Sequence, residues 1–249
     1  MKTNPGDKKQ SQEEDLVRLN KYISNSGICS RRDADKLIAN GEVTVNNKVI
    51  TELGYKISPK DDVSWKGKPI RREKLRYILL NKPKDFITTM DDERDRRTVM
   101  QLVANACSER IYPVGRLDRT TTGLLLFTND GDLTKKLTHP SGGVKKVYKA
   151  ELNKPLTKND FQSVLNGTQL EDGLAMVDEL NIISADKKSL GIRIHMGKNR
   201  IIHRIFEHYG YYVDKLDRVM FAGLDKKDLP RGKWRHLTET EVRRLKYFL

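Results

Sequence analysis

Between Tyr112 and Leu133 the chain reads YPVGRLDRTTTGLLLFTNDGDL, and this block holds the residue types from which a single-carboxylate active site is built. Asp118 follows Arg116 and precedes a threonine run, Thr120 to Thr122, which leads through Gly123 into an apolar segment with the look of a buried strand. A polar loop feeding a rigid strand aims one catalytic group well, and a carboxylate held there can act as a nucleophile or accept a proton. An aspartate flanked by Arg116 and Arg119 is also what a surface ion pair looks like, so on these residues alone both readings stand. Other chemistries find less support. His139, His195, His208 and His236 lack partners at metal-ligand spacing and read as structural or surface residues. Gly142-Gly143 is a turn signal without the Gly-x-x-x-x-Gly-Lys pattern of a phosphate loop, and serine-nucleophile machinery is missing.

The elements that must carry this block read as two modules. After a polar tail, residues 1–15, Leu16 to Gly41 suggests two short helices broken at Gly27. In the first, Leu16, Leu19, Tyr22 and Ile23 fall at helical spacings and leave Arg18 and Lys21 outside. Ser30 has the character of an N-cap, with Asp33 three residues on. Ala34, Leu37 and Ile38 form an apolar stripe, Gly41 ends the helix, and Arg31, Arg32 and Lys36 make a basic face. Strands are expected over Val43–Ile50, turning at Asn46-Asn47, and over Gly54–Trp65. Residues 66–76 (KGKPIRREKLR) are charged and read as a linker between a module at 16–65 and a second at 77–249. In the second, strands are expected at 77–81, 123–128, 147–153, 177–184 and 190–196. Helices are expected at 98–107, 133–137, 158–165, 200–209 and 239–249. Mixed order of this kind implies an α+β domain on a largely antiparallel sheet flanked by helices.

The 249 residues include 48 Lys plus Arg against 34 Asp plus Glu, a net charge of +14, with 37% hydrophobic and 33% charged residues. That excess suits a polyanion. It is spread along the chain rather than gathered beside an amphipathic helix, which favours nucleic acid over a membrane surface. Cys29 and Cys107 lie far apart without metal or disulfide spacing, and the sequence holds no apolar run of membrane-spanning length. These features set the expectation of a soluble, cytoplasmic protein, and with no interface signal in the sequence a monomer is the default expectation.

The segment VRLNKYISNSGICSRRDADKLIANGEVTVNNKVI, Val17 to Ile50, resembles the S4 RNA-binding module. That resemblance implies RNA contact through Arg18, Lys21, Arg31, Arg32 and Lys36. The residues say the same more weakly, since cations at a helix N-terminus face phosphates together with the helix dipole.

Gly115-Arg-Leu-Asp118 followed by Thr-x-Gly-Leu-Leu-Leu-x-Thr-Asn-Asp-Gly-x-Leu resembles the catalytic motif of the ribosomal pseudouridine synthases typified by RsuA and RluB. YILLNKPKDFITTM (77–90) is similar to that family's opening Asn-Lys-Pro segment, Lys146-Val-Tyr148 to its Lys-x-Tyr element, and 197–210 lies where its third motif falls. Gly167–Gly173 looks more like the large-subunit enzyme of B type. The resemblance, over residues 16 to 245, implies cofactor-free and metal-free isomerisation of a uridine in ribosomal RNA, in 23S rRNA near the peptidyl-transferase region. The RNA would be met free or in an assembling large subunit. Asp118 would be the carboxylate acting on a flipped uridine and Tyr148 its stacking and proton-handling partner. RNA contact would fall to Lys82, Arg116, Arg119, Thr120, Thr122, Lys146, Lys198, Asn199 and Arg200.

One departure stands out. The family's third motif places an arginine that pairs with the catalytic carboxylate where this chain has His203, in Gly197-Lys-Asn-Arg-Ile-Ile-His-Arg204. A guanidinium is always charged and bidentate, whereas a histidine of ordinary pKa near 6.5 is mostly neutral at pH 7. Contact with Asp118 would favour protonated His203, and Arg204 or Arg200 on the adjacent turn are alternative partners. The departure also leaves open a rival reading, a ribosome-assembly factor of the same fold that grips RNA without efficient catalysis.

Overall fold

In the computed structural model, residues 16–247 are described, and the polar tail at 1–15 and the last two residues lie outside them. The chain divides into two units between Lys74 and Leu75.

The N-terminal unit opens on β1 (Val17–Arg18), where a helical start was expected, and then forms α1 (Leu19–Ser24) and α2 (Arg31–Ala39). Ser30 caps α2 as its position implied, its Oγ accepting from the Asp33 amide at 3.2 Å, which satisfies one orphan N–H of the first turn. Strands β2 (Val43–Val45) and β3 (Lys48–Val49) are joined through Asn46 and Asn47 at φ 50° and 64°, the paired left-handed geometry of a tight hairpin. Next come β4 (Lys56–Ile57), which pairs with β1, and β5 (Val63–Trp65), which pairs with β2. Leu19, Ile23, Ala34, Ile38, Val43, Val45, Ile57 and Val63 form the core.

The expected linker at 66–76 needs correction in its first half. Lys66 (φ 49°) and Gly67 (φ 75°) make a second tight turn into β6 (Lys68–Pro69), which pairs with β5. Ile70 is buried in the same core and donates its amide to Val63 O at 2.8 Å. Pro69 is tolerated because β6 is an edge strand. Within 66–76 the charged residues concealed a strand that Ile70 anchors in this core.

The second unit contains β7 (Tyr77–Lys82), α3 (Val99–Val103), β8 (Tyr112–Pro113), β9 (Thr122–Thr128), α4 (Gly131–Thr138), β10 (Lys146–Leu152) and α5 (Lys158–Asn166). It continues with β11 (Thr168–Leu170), β12 (Gly173–Ala175), β13 (Glu179–Ile182), β14 (Ser189–Ile194) and α6 (Ile201–His208). It closes with β15 (Val213–Phe221), β16 (Leu224–Asp225), β17 (Trp234–His236) and α7 (Glu239–Tyr247). The main sheet runs β13-β14-β10-β15-β9-β7-β17, with β16 on β15 and β8 on β9. Every pair is antiparallel except β9 with β15, so the sheet is mixed and mostly antiparallel.

Helices cover both faces, which is why β9 reads as continuous apolar sequence rather than alternating. Leu125 and Phe127 enter the core with α3, α5 and α6, while Leu124 and Leu126 enter the core with α4 and α7. The expected helix at 98–107 shrinks to α3, whose N-cap Thr98 makes no side-chain capping bond.

Candidate active site

The loop between β8 and β9 carries Asp118, and its backbone is fixed from below by Lys82 at the end of β7. The Lys82 side chain is fully buried, with Nζ 3.0 Å from Asp118 O, 2.8 Å from Thr121 O, 3.3 Å from Arg119 O and 3.2 Å from Pro83 O. A buried ammonium survives only where acceptors replace its water, and four carbonyls surround its three donors here. Burial lowers its pKa to about 8, against the opposing pull of Asp118 and Asp85. Further bonds complete the loop: Thr88 Oγ1 donates to Leu117 O (2.8 Å), the Asp85 amide to Arg119 O (2.9 Å), and the Thr121 amide to Asp118 O (3.1 Å). Gly123 then enters β9 at φ 105°, where a Cβ would lie 2.3 to 2.8 Å from the Arg218 backbone. Only glycine lets β9 and β15 approach this closely.

This loop forms one wall of a cleft of about 280 Å³, just below the roughly 300–1,000 Å³ typical of small-molecule pockets. The Asp118 side chain lines it, half-buried, and its carboxylate has no hydrogen-bond partner among the described residues. Lys146 and Tyr148 of β10, Arg218 of β15, and His203 near the start of α6 line the same cleft, with Leu216 and Ile194 supplying apolar surface. Tyr148 is paired across the sheet with Ile192 on one side and Arg218 on the other, which fixes its backbone at the cleft. Lys146 Nζ donates to His195 O (2.8 Å) and Met196 O (3.2 Å). Burial, then the Arg218 charge, brings its pKa to about 8, with Asp178 opposing.

His203 is buried, and its Nδ1 has no hydrogen-bond partner among the described residues. Burial and then the Arg200 charge lower its pKa below the ordinary value, outweighing Asp118 and Glu207, so the neutral imidazole is the favoured form at pH 7. The protonation expected from Asp118 is therefore the weaker influence.

Asp118, Arg116, Lys146, Tyr148, Lys198, Asn199, Arg200 and His203 thus share one cleft, although they come from separate stretches of sequence. Other residues do not join them. Arg204 forks onto Asp172 at 2.9 and 3.1 Å and bonds Asn199 O at 2.9 Å, so it is turned away as a partner for Asp118. Lys82 is a buried loop support, not an RNA contact, because none of its surface reaches solvent. Thr122 is not among the residues that line this cleft, and its hydroxyl bonds Asp217 Oδ1 at 2.7 Å inside an ion-pair network with Lys226 and Arg231. Arg119 and Thr120 are exposed outside the cleft, with Arg119 beside Asp85 at 3.5 Å. In the N-terminal unit Arg18, Arg31, Arg32 and Lys36 are exposed, Lys36 sharing Asp33 at 3.0 Å, and Lys21 is half-buried.

Sequence reasoning missed Arg218, Leu216 and Phe221, all from β15. The strand VDKLDRVMF carries four charges, and a bulge opposite Val147-Tyr148 interrupts its alternation, so no period-two signal marks it.

On a mostly antiparallel sheet, one cleft thus gathers a carboxylate on a braced loop, a strand tyrosine and several cations. The chain belongs to the RNA pseudouridylate synthase family, whose model matches residues 76–208, and it carries an S4 domain over residues 17–63. It is 40% identical over 235 residues to ribosomal large subunit pseudouridine synthase B of Bacillus subtilis, covering 93% of this chain and 96% of that one. It is 37% identical over 231 residues to the dual-specificity RNA pseudouridine synthase RluF of Escherichia coli, covering 91% and 77%. A solved pseudouridylate synthase matches with a TM-score of 0.66 at 26% identity, over 92% of this chain and 99% of that one.

Proposed function

We propose that this enzyme isomerises a specific uridine of ribosomal RNA, in the large-subunit 23S RNA near the peptidyl-transferase region, and that Asp118 is the carboxylate that acts on the flipped nucleotide. The observation that carries the reading is the Asp118 carboxylate itself, left without a hydrogen bond on a loop whose backbone is bonded at Leu117, Asp118, Arg119 and Thr121. A carboxylate is usually bonded where it serves structure, and one held rigid but unpaired is available to a substrate. Cleft size supports a single flipped nucleoside, with Tyr148 offering the aromatic surface on which an extruded base stacks. The large-subunit assignment is supported by the Bacillus subtilis relative, whose name refers to that subunit. Exposed Arg31 and Arg32 suit the S4 domain to phosphate contact, with specificity drawn from RNA shape rather than from the hidden major-groove edges.

The test is pseudouridine mapping, by carbodiimide labelling and primer extension, on unmodified large- and small-subunit rRNA treated with the wild type or with Asp118→Asn. A new stop in large-subunit RNA that disappears in the variant is the expected result. A stop in small-subunit RNA overturns the subunit assignment, and no stop with RNA binding intact favours the assembly-factor reading instead.

A further inference from the structure

The cleft binds the family's reaction to a group that the sequence did not single out. We propose that the Arg218 guanidinium is the fixed cation of this site and that it stabilises the negative charge a uracil ring acquires when its bond to the ribose breaks. The inference rests on the activity proposed above.

No residue of the α6 side offers a free permanent cation. His203 is buried with an unpartnered Nδ1, and Arg204 is committed to Asp172 through both fork nitrogens. Lys198 Nζ is held on Asp172 O at 2.6 Å, and Arg200 is exposed beside Glu207 at 3.4 Å. Arg218 differs from all of them. It is 3% exposed, it lines the cleft, and the single hydrogen bond of its side chain among the described residues runs from Nε to Leu124 O at 2.7 Å. Its Nη2 is buried without an acceptor among the described residues. A guanidinium cannot shed its proton to escape burial, so an unmet donor there is costly unless something supplies the acceptor.

Its position is also over-determined. The Nε bond ties it to β9, its guanidinium lies 4.6 Å from the centre of the Phe221 ring, and its backbone sits between Tyr148 and Gly123 in the sheet. The close approach at Gly123 brings it beside the strand that the Asp118 loop enters. That rigidity is what an electrostatic catalyst requires, because a preorganised charge spends nothing on reorientation.

The chemistry demands such a charge. In the isomerisation the C1′–N1 bond breaks with its electron pair left on the ring, which spreads the charge onto the ring oxygens. A C1′–C5 bond then forms, C5 loses its proton, and N1 takes one up, so the change is balanced without an oxidant or reductant. Whether Asp118 attacks the sugar, attacks the ring or removes a ribose proton, the electron pair passes through the base. Arg218 meets it there.

The experiment compares turnover, RNA affinity and melting temperature of the full-length wild type, Arg218→Gln and Arg218→Lys on an unmodified rRNA transcript. Arg218→Gln keeps an amide donor but no charge; it is expected to bind RNA within about twofold of wild type and to turn over roughly 10²-fold more slowly. Arg218→Lys restores a charge that can titrate. Its rate divided by the wild-type rate should fall as pH rises through the introduced lysine's pKa, a change that a packing role would not produce. Arg218→Gln turning over within about threefold of wild type, or losing affinity with turnover intact, overturns the inference. If Arg218→Gln melts below the assay temperature, Arg218→Lys decides alone, and a pH-independent ratio overturns it. A wild type inactive on every rRNA overturns the proposed function and this inference together, a result distinct from an active wild type matched by its Arg218 variants.

Discussion

The ammonium of Lys82 lies 3.0 Å from the main-chain oxygen of Asp118, so the residue that fixes the reactive loop touches the backbone of the carboxylate and leaves its side chain free. The same ammonium reaches Thr121 O at 2.8 Å, which locks both ends of the turn that presents Asp118. Lys82→Met keeps the apolar stem and removes the donors. It is expected to cost about 3 kcal/mol of stability, the scale of lost charge-assisted hydrogen bonds in a buried site, and to lower turnover at least tenfold at a temperature where the variant remains folded. Urea melts and single-turnover kinetics check both. A variant that loses stability while keeping full turnover would show that the loop holds Asp118 without this brace.

Arg204 and His203 are neighbours in sequence with opposite fates, and that contrast predicts a contrast in variants. Arg204 pairs with a half-exposed Asp172, a setting in which an ion pair contributes up to about 1 kcal/mol. Arg204→Ala is therefore expected to change turnover by less than about threefold. A double-mutant cycle with Asp172→Asn, read by denaturant melts, should give a coupling energy under about 1 kcal/mol.

Much of this arrangement is legible in the amino-acid sequence. The Ser30 cap, the Asn46-Asn47 turn, the buried run of β9 and the clustering of Asp118, Lys146, Tyr148 and His203 all follow from local pattern and motif. What sequence conceals has a common physical cause, that the partner which decides a side chain's role is distant in the chain. Lys82 reads as one more surface cation until the carbonyls 36 to 39 residues away close over it. Asp172 draws Arg204 aside across 32 residues. β15 looks like solvated chain because Asp217 is neutralised by Lys226 and Arg231 rather than by water.

Arg31 and Arg32 stand exposed on the first turn of α2, where the helix dipole also favours phosphate. Replacing either with alanine should weaken binding to a structured rRNA fragment. It should also reduce the slope of log affinity against log salt by about 0.7 to 0.9 for each phosphate the protein no longer neutralises. Turnover at saturating RNA should be unchanged, because these residues belong to the S4 domain. Filter binding between low and physiological salt measures the slope, and a slope unaltered in the double variant would remove this surface from the RNA-binding face.

The buried His203 makes the last prediction one of pH and sign. Its folded-state pKa is lowered by burial and by Arg200, so on acidification the unfolded chain takes up this proton first. The stability His203 contributes is therefore complete above its ordinary pKa near 6.5 and is lost as pH falls through 6.5 toward the lower folded value. Denaturant melts of wild type and His203→Gln should diverge accordingly, with the wild type losing more stability between pH 7 and pH 5. Kinetics follow from the same state. Since the imidazole is already neutral at pH 7, no loss of activity between pH 6.5 and 7.5 should be traceable to it, and the wild-type and His203→Gln profiles should run parallel there. A wild-type rate that falls across that interval while the variant's stays level would mean that His203 works as a cation beside Asp118, and that substrate binding raises its pKa above the value the free cleft imposes.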